Sequence, residues 1–285
     1  MTSDTIDPGA TAVTALFVPA TKAQLIDKAV AAGADAVIAD FEDSVAAEQR
    51  SSARETLGAY LDERPEARIV LRLNNLAGVL DDDLAFAARY IGWIDAIIVP
   101  KVETSETLTR IATLGRPIWG LIESPAGLFN LAEIAATPGL TRLGFGGVDF
   151  AQEVGADPSE PGGQAVLDHV RIQLVLRSAA AGLAPPINSP YPDFKDQDGL
   201  QKVASRMRGM GFGGMLCIHP SQVDTVRRAF APTPEQRAWA ERVVAAAREH
   251  DGAFQIDGEM IDTPVLARAE RILREAPTET DSASR

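Results

Sequence analysis

Eight short, almost wholly apolar runs alternate along this chain with longer stretches whose apolar residues recur at helical spacing. The runs cover 13–19, 36–41, 69–73, 96–99, 118–122, 143–145, 186–189 and 215–218. The helical patterns between them lie near 21–32, 45–62, 81–91, 104–114, 127–136, 164–181 and 199–209. Strands that are apolar at nearly every position belong to parallel sheets covered on both faces. Eight of them, with a helix between each and the next, predict an α/β fold of the (β/α)8 TIM-barrel type.

Beyond the eighth run the pattern continues with a helix near 234–249, the sequence Phe254-Gln255-Ile256-Asp257-Gly258-Glu259-Met260-Ile261, and a helix near 264–275. Asp-Gly between two apolar pairs is a hairpin signal. A barrel needs one helix after its last strand, so the rest is a C-terminal extension, and covering a barrel mouth is its expected task. The organisation read from the sequence is a polar tail over 1–10, a barrel over 11–232, a C-terminal arm or lid over 233–277 and a second tail over 278–285.

Composition narrows the function classes. With 285 residues, 46% hydrophobic and 24% charged, a large core is expected. A net charge of −13 argues against nucleic acid, whose phosphates need a basic face, while leaving room for an organic anion held by a metal and a few arginines. The single cysteine, Cys217, cannot form an intramolecular disulfide and fits a reducing cytoplasm. No stretch approaches the roughly 20 apolar residues of a membrane span, so neither membrane nor nucleic acid is an expected partner.

In barrels of this type the chemistry sits where the strands end, and polar residues collect there. The ring comprises Asp40-Phe41-Glu42-Asp43, Arg72, Lys101, Glu123, Asp149, Asn188-Ser189 and His219. Glu123 and Asp149 can hold a hard cation such as Mg²⁺, or they can cap the helices that follow. Ser124, standing before Pro125, is the better cap on its side. Arg72 interrupts an apolar strand; a buried guanidinium pairs with Asp40 or Glu42, contacts a substrate carboxylate, or does both. Lys101 is read as an ion-pair member before a Schiff-base former. His219 reads as a loop start and helix cap, and His169 and His250 as surface residues. Gly209–Gly214 has a loose likeness to a dinucleotide loop but precedes a strand, which rules it out.

Taken in order, several motifs give the chain a resemblance. They are Leu16-Phe17-Val18-Pro19, Glu42-Asp43-Ser44-Val45, Arg72-Leu73-Asn74, Pro100-Lys101-Val102-Glu103, Leu121-Ile122-Glu123-Ser124-Pro125, Ile218-His219-Pro220-Ser221-Gln222 and Met260-Ile261-Asp262-Thr263-Pro264. From about residue 14 to 275 the sequence resembles the citrate lyase β-subunit-like branch of the HpcH/HpaI aldolase superfamily. The resemblance implies a homotrimer or hexamer of (β/α)8 barrels that makes or breaks C–C bonds with Mg²⁺. It implies metal ligation by Glu123 and Asp149 and Arg72 as a catalytic and substrate-binding residue; Asp40 and Glu42 beside it are the other expected substrate-binding residues. It also implies an acid/base role for Asp262, offered to a neighbouring subunit; the residues alone read Asp262 as a helix cap.

The expected activity is a Mg²⁺-dependent carbon–carbon lyase acting on a hydroxy acid or its coenzyme A or acyl-carrier thioester through a 2-oxo acid. A malyl-thioesterase-like hydrolase and a non-catalytic acid- or carrier-binding subunit are the alternatives. Three departures from the pattern of acyl-thioester-cleaving relatives put the thioester in question: Ala20 replaces a glycine, Met215 a lysine, and Val148 the first of an acidic pair.

Overall fold

The computed structural model describes residues 11–250 and 252–275; the two tails expected at 1–10 and 278–285 lie outside them. The chain divides into two compact units, 1–229 and 230–285. In the first, eight parallel strands close into a barrel in sequence order. They are β1 (Thr14–Pro19), β2 (Ala36–Asp40), β3 (Ile69–Arg72), β4 (Ile94–Val99), β5 (Ile118–Ile122), β6 (Leu140–Phe145), β7 (Ala184–Asn188) and β8 (Gly214–Cys217). Closure is made by β8 on β1, with Thr14 opposite Met215 and Leu16 opposite Cys217. The TIM-barrel expectation holds, and each predicted strand is found.

Strand parity explains how packing and chemistry share this barrel. Ala36 and Ile38, Val70, Ala96 and Ile98, Trp119 and Leu121, Ile187 and Leu216 form one buried cluster. Side chains two positions apart on a strand share a face. Moving up the same columns from Ile38, Val70 and Leu121 leads to Asp40, Arg72 and Glu123. The polar ring is thus the top layer of the columns that fill the barrel.

Two differences from the sequence reading concern helices. The stretch 147–154 forms a helix, α7 (Gly147–Val154), and 223–230 forms another, α10 (Val223–Phe230); neither stands among the helical stretches read from the sequence. The predicted helix over 127–136 is two, Pro125–Phe129 and Leu131–Ala135, divided at Asn130. α7 and α10 are only eight residues long, too short for a period to declare itself. As a result Asp149 does not end β6, which stops at Phe145; it is the third residue of α7.

The second unit holds a helix at Pro234–Ala247, a two-stranded hairpin of Phe254–Ile256 and Glu259–Ile261, and a helix at Thr263–Glu275. Thr233 starts the first helix with a reciprocal capping box to Gln236 and with Pro234 in the first turn. Asp257 and Gly258 both take positive φ, 52° and 85°, as a two-residue turn matched to strand twist requires. Ala240, Val243, Ile261, Ala269 and Ile272 bury one another and give this unit its own small core. Among the described residues no helix is long and apolar enough to cross a membrane.

Candidate active site at the barrel mouth

A cavity of about 350 Å³ opens at the carboxyl ends of the strands, and Asp40, Asp43, Arg72, Glu123, Asp149 and Ser189 line it. Arg72 is its centre. The guanidinium grips Asp40 with two parallel bonds, Nε to Oδ1 at 2.7 Å and Nη2 to Oδ2 at 2.8 Å. Its Nη1 lies 2.9 Å from Oε2 of Glu42 and donates to Oδ2 of Asp43 at 3.3 Å. Phe17 offers its ring face 4.4 Å from the guanidinium carbon. Burial alone would weaken the positive charge, but Asp40, Glu42 and Asp43 outweigh it, and the Arg72 pKa is raised.

Asp40 is fully shielded from solvent and saturated. Its Oδ1 also accepts from the Glu42 N–H, and its Oδ2 from the Ser44 N–H and hydroxyl. Burial pushes this carboxyl up, yet Arg72 and these donors more than offset the push, and its pKa is lowered. Asp40 is thereby a permanent anion that sets the angle of Arg72. The contact to Asp43 is the looser one, to a carboxylate whose side chain is 58% exposed.

Glu123 continues the inward column of β5 and is 6% exposed. On its left and right the chain makes room for it. A Cβ on Gly146 would collide with the Glu123 carboxylate, and one on Gly144 with Leu121, so the chain presents no side chain beside Glu123 or Leu121 at these two positions. Lys101 donates its backbone N–H to Oε2 of Glu123 at 2.8 Å. It does so from a left-handed conformation, φ 50°, uncommon for a residue with a side chain. Burial, then the neighbouring Glu42 carboxylate and to a lesser degree Asp149, push Glu123 up to about 7, while the Lys101 N–H and Arg72 pull the other way.

Asp149 reaches the same mouth from the first turn of α7. The entry to α7 is clamped by Ser189, whose hydroxyl donates to the Phe145 carbonyl and accepts from the Gly147 N–H, both at 2.7 Å. The capping alternative is not realised at either carboxylate. Ser124 caps its helix through the Gly127 N–H, and α7 has Gly146 at its capping position, with no side-chain cap. Among the described residues the one partner of Asp149 is the Lys101 ammonium, 3.9 Å away.

Lys101 Nζ sits 2.6 Å from Oε1 of Glu42 and 3.6 Å from Asp43. Burial would lower its pKa, but Glu42 and Asp43 prevail and raise it, which keeps the ammonium protonated. The ion-pair reading of Lys101 holds, and a free amine for Schiff-base chemistry is disfavoured. His219 behaves as the loop start it resembled: Nδ1 accepts from the Ser221 N–H, and the ring stacks on Phe194 at 4.5 Å. His169 and His250 are exposed.

The structure therefore brings Asp40, Glu42, Arg72, Lys101, Glu123 and Asp149 together. Asp262 belongs to the second unit, where Oδ1 accepts from the Val265 N–H at 3.2 Å and caps the last helix. Three roles escaped the sequence reading: the Lys101 main chain as donor to Glu123, the Ser189 hydroxyl as clamp on Gly147, and the bare edge of Gly144 and Gly146. Two glycines at i and i+2, one in the strand and one just past its end, are a visible sign of close approach. Of the three departures, Ala20 and Met215 are fully buried in the wall, whereas Val148 is 64% exposed and lines the mouth.

The chain is similar to known proteins over most of its length. The chain is 37% identical over 265 residues to a citrate lyase subunit beta-like protein of Mycobacterium tuberculosis, an alignment covering 92% of this chain and 94% of the relative. It is 33% identical over 275 residues to a (3S)-malyl-CoA thioesterase of Cereibacter sphaeroides, with 92% and 93% covered. The crystal structure of the protein CitE from Mycobacterium tuberculosis, in complex with magnesium, acetoacetate and coenzyme A, superposes with a TM-score of 0.81 at 35% identity, covering 94% of this chain and 99% of that one. Residues 14–220 match the family described as HpcH/HpaI aldolase/citrate lyase. By that match and those identities, the chain belongs to the HpcH/HpaI aldolase/citrate lyase family.

Proposed function

We propose that this protein is a Mg²⁺-dependent carbon–carbon lyase that cleaves, or forms in reverse, a hydroxy acid or its acyl thioester by way of a 2-oxo acid. The observation that carries this reading is Glu123: a buried carboxyl raised by its acidic neighbours, seated in a notch cleared by Gly146, with Asp149 lining the same cavity. A cation relieves that crowding. Among the described residues no three His, Cys, Asp or Glu side chains are grouped to hold a metal. Mg²⁺ does not need three, since it commonly keeps several waters and takes one or two carboxylates plus substrate oxygens. Glu123 and Asp149 are the ligands this reading assigns, and the metal's contribution would be Lewis-acid polarisation and a template for the acid.

The remaining roles fall to the chain's own groups. Arg72 would exchange its loose contact with Asp43 for the substrate and stabilise charge developing on its oxygen. Asp40 serves as the positioning residue behind Arg72, and Glu42 spaces Arg72 from Lys101. Cleavage takes the proton from the hydroxyl, leaves that oxygen as the carbonyl of the 2-oxo acid and returns a proton to the departing carbon. Asp262, supplied by a neighbouring copy in a trimer or hexamer, is the group proposed to move that proton. A reducing cytoplasm suits the single buried thiol of Cys217.

A second reading, hydrolysis of a malyl-type thioester, is favoured by the thioesterase relative at 33% identity. Product analysis separates the two, because a hydrolase leaves the carbon skeleton whole. The lyase reading predicts that EDTA abolishes turnover of candidate hydroxy-acyl thioesters, that Mg²⁺ restores it, and that Glu123→Ala has none. Activity insensitive to EDTA, or retained in Glu123→Ala, overturns it.

A further inference from the structure

Asn75 is half-buried in the turn between β3 and the helix Leu80–Arg89, and nothing in the proposed chemistry uses it. Its side-chain amide donates to two successive carbonyls of the turn after β4, that of Pro100 at 3.1 Å and that of Lys101 at 3.0 Å. Both partners are acceptors, so the orientation of the amide is fixed, with its nitrogen toward the turn.

The Pro100–Lys101 peptide is thereby held at both ends. It is trans, so its carbonyl and its N–H point in opposite directions. The carbonyl takes the Asn75 amide, and the N–H is the one that reaches Oε2 of Glu123 at 2.8 Å. A donor on the carbonyl polarises the peptide and strengthens the bond its N–H makes on the other side.

The turn needs such a grip. Its backbone is anchored on one side by Val99, paired in the sheet with Gly120, and on the other by Val102, whose N–H donates to the Leu121 carbonyl at 3.0 Å. Pro100 has no N–H to add. Between these anchors Lys101 sits at φ 50°, a conformation that costs free energy for any residue with a side chain. Turning the 100–101 peptide over would relieve that cost by taking Lys101 to an ordinary negative φ. It would also swing the N–H away from Glu123 and set the Pro100 carbonyl oxygen against that carboxylate. The Asn75 amide opposes the turnover, because its Pro100 acceptor would leave with the peptide.

We propose that Asn75 is a positioning residue for Glu123, acting through the Pro100–Lys101 peptide that it holds with the N–H toward that carboxylate. The consequence for Mg²⁺ rests on Glu123 being a metal ligand; the hold on the peptide does not.

Two measurements on the full-length protein test this. Asn75→Leu keeps the size of the side chain and removes its donors. In the metal-free protein it is expected to speed hydrogen exchange at the Lys101 amide, followed by NMR, by about tenfold, the worth of one hydrogen bond. The Val102 amide, anchored on β5, should keep its wild-type rate. Mg²⁺ affinity, titrated calorimetrically, is expected to fall by about tenfold when Asn75→Leu is added to Lys101→Met. Added to Lys101→Gly it should cost less than about threefold, because glycine takes a positive φ without strain. A purely structural part for Asn75 would weaken both backgrounds alike. Should Asn75→Leu unfold the protein, Asn75→Ala carries the same comparisons. Wild-type exchange at Lys101, or equal losses in the two backgrounds, overturns the proposal. Mg²⁺ binding unaltered by Glu123→Ala overturns the metal reading instead, and the exchange rate at Lys101 then decides for or against Asn75.

Discussion

Lys101 holds Glu123 with its main chain and Glu42 with its ammonium, from a single left-handed backbone position. The two ends of one residue thus tie together a proposed metal ligand and the neighbour of Arg72. Removing the ammonium alone should leave Glu123 in place. Lys101→Met is expected to keep Mg²⁺ affinity within a few-fold of wild type, measured calorimetrically, and borohydride with a 2-oxo acid should leave no adduct mass on the wild-type chain. A loss of affinity beyond a hundredfold, or a trapped adduct at Lys101, contradicts this division of labour.

Gly146 is the cheapest place to break the site without touching a ligand. Its added methyl would fall on the Glu123 carboxylate, and a displacement of about 1 Å costs on the order of a hundredfold in activity. Gly146→Ala should therefore lose Mg²⁺-dependent turnover by about that factor while its far-UV circular dichroism stays that of the barrel. Unchanged turnover would mean that the notch does not position Glu123.

The acidity of Glu123 sets two opposite pH dependences. Its carboxyl is raised from 4.5 to about 7, so in the metal-free protein the folded state holds the proton more tightly than the unfolded chain does. Stability therefore falls as pH rises from about 4.5 to 7, and that interval corresponds to roughly 3 kcal/mol. Metal affinity runs the other way, rising up to about tenfold per pH unit until the proton is gone near 7. Glu123→Gln should raise the unfolding temperature of the metal-free protein at pH 8 and erase the Mg²⁺-induced rise. A variant less stable than wild type at pH 8 contradicts the assignment.

Arg72→Lys keeps the charge and loses the fork. The bidentate grip of Asp40 cannot be rebuilt by an ammonium, and a carboxylate left buried without its partner destabilises by roughly 3–5 kcal/mol. We expect a fall in kcat of roughly a hundredfold or more, together with a lower unfolding temperature. Wild-type kcat in Arg72→Lys would reduce Arg72 to a packing residue.

The proposed sharing of Asp262 between copies can be tested by complementation. Glu123→Gln and Asp262→Asn should each be inactive alone. Mixed, dissociated and reassembled, they should regain part of the wild-type activity, because some mouths then receive an intact Glu123 from one copy and an intact Asp262 from another. No recovery after verified subunit exchange would place Asp262 outside the reaction.

The barrel was legible because parallel strands covered on both faces leave an unmistakable apolar signature, and Arg72 stood out against it. Glu123 was legible for the same reason, with Ser124-Pro125 already naming the cap that relieved it of that duty. Asp149 was found, but on the wrong element, since Gly146-Gly147 hides the step from β6 into α7. What one sequence could not reveal was the work done by groups without distinctive side chains. The Lys101 N–H acts only because of its φ, and Ser189 only because β7 brings it beside Gly147. Met215, one of the three departures, is fully buried in β8.

Asp40, Arg72 and Glu123 stand in the same inward columns as Ile38, Val70 and Leu121. A slip of one residue in β5 would turn Glu123 toward the helices and bring Ile122 to the mouth. No such slip could spare the core while harming the reaction, or the reverse. Turnover is then an all-or-none gauge of strand alignment: molecules with a partly formed barrel contribute nothing to it, and specific activity in a refolding or heat-treated sample counts the correctly threaded molecules.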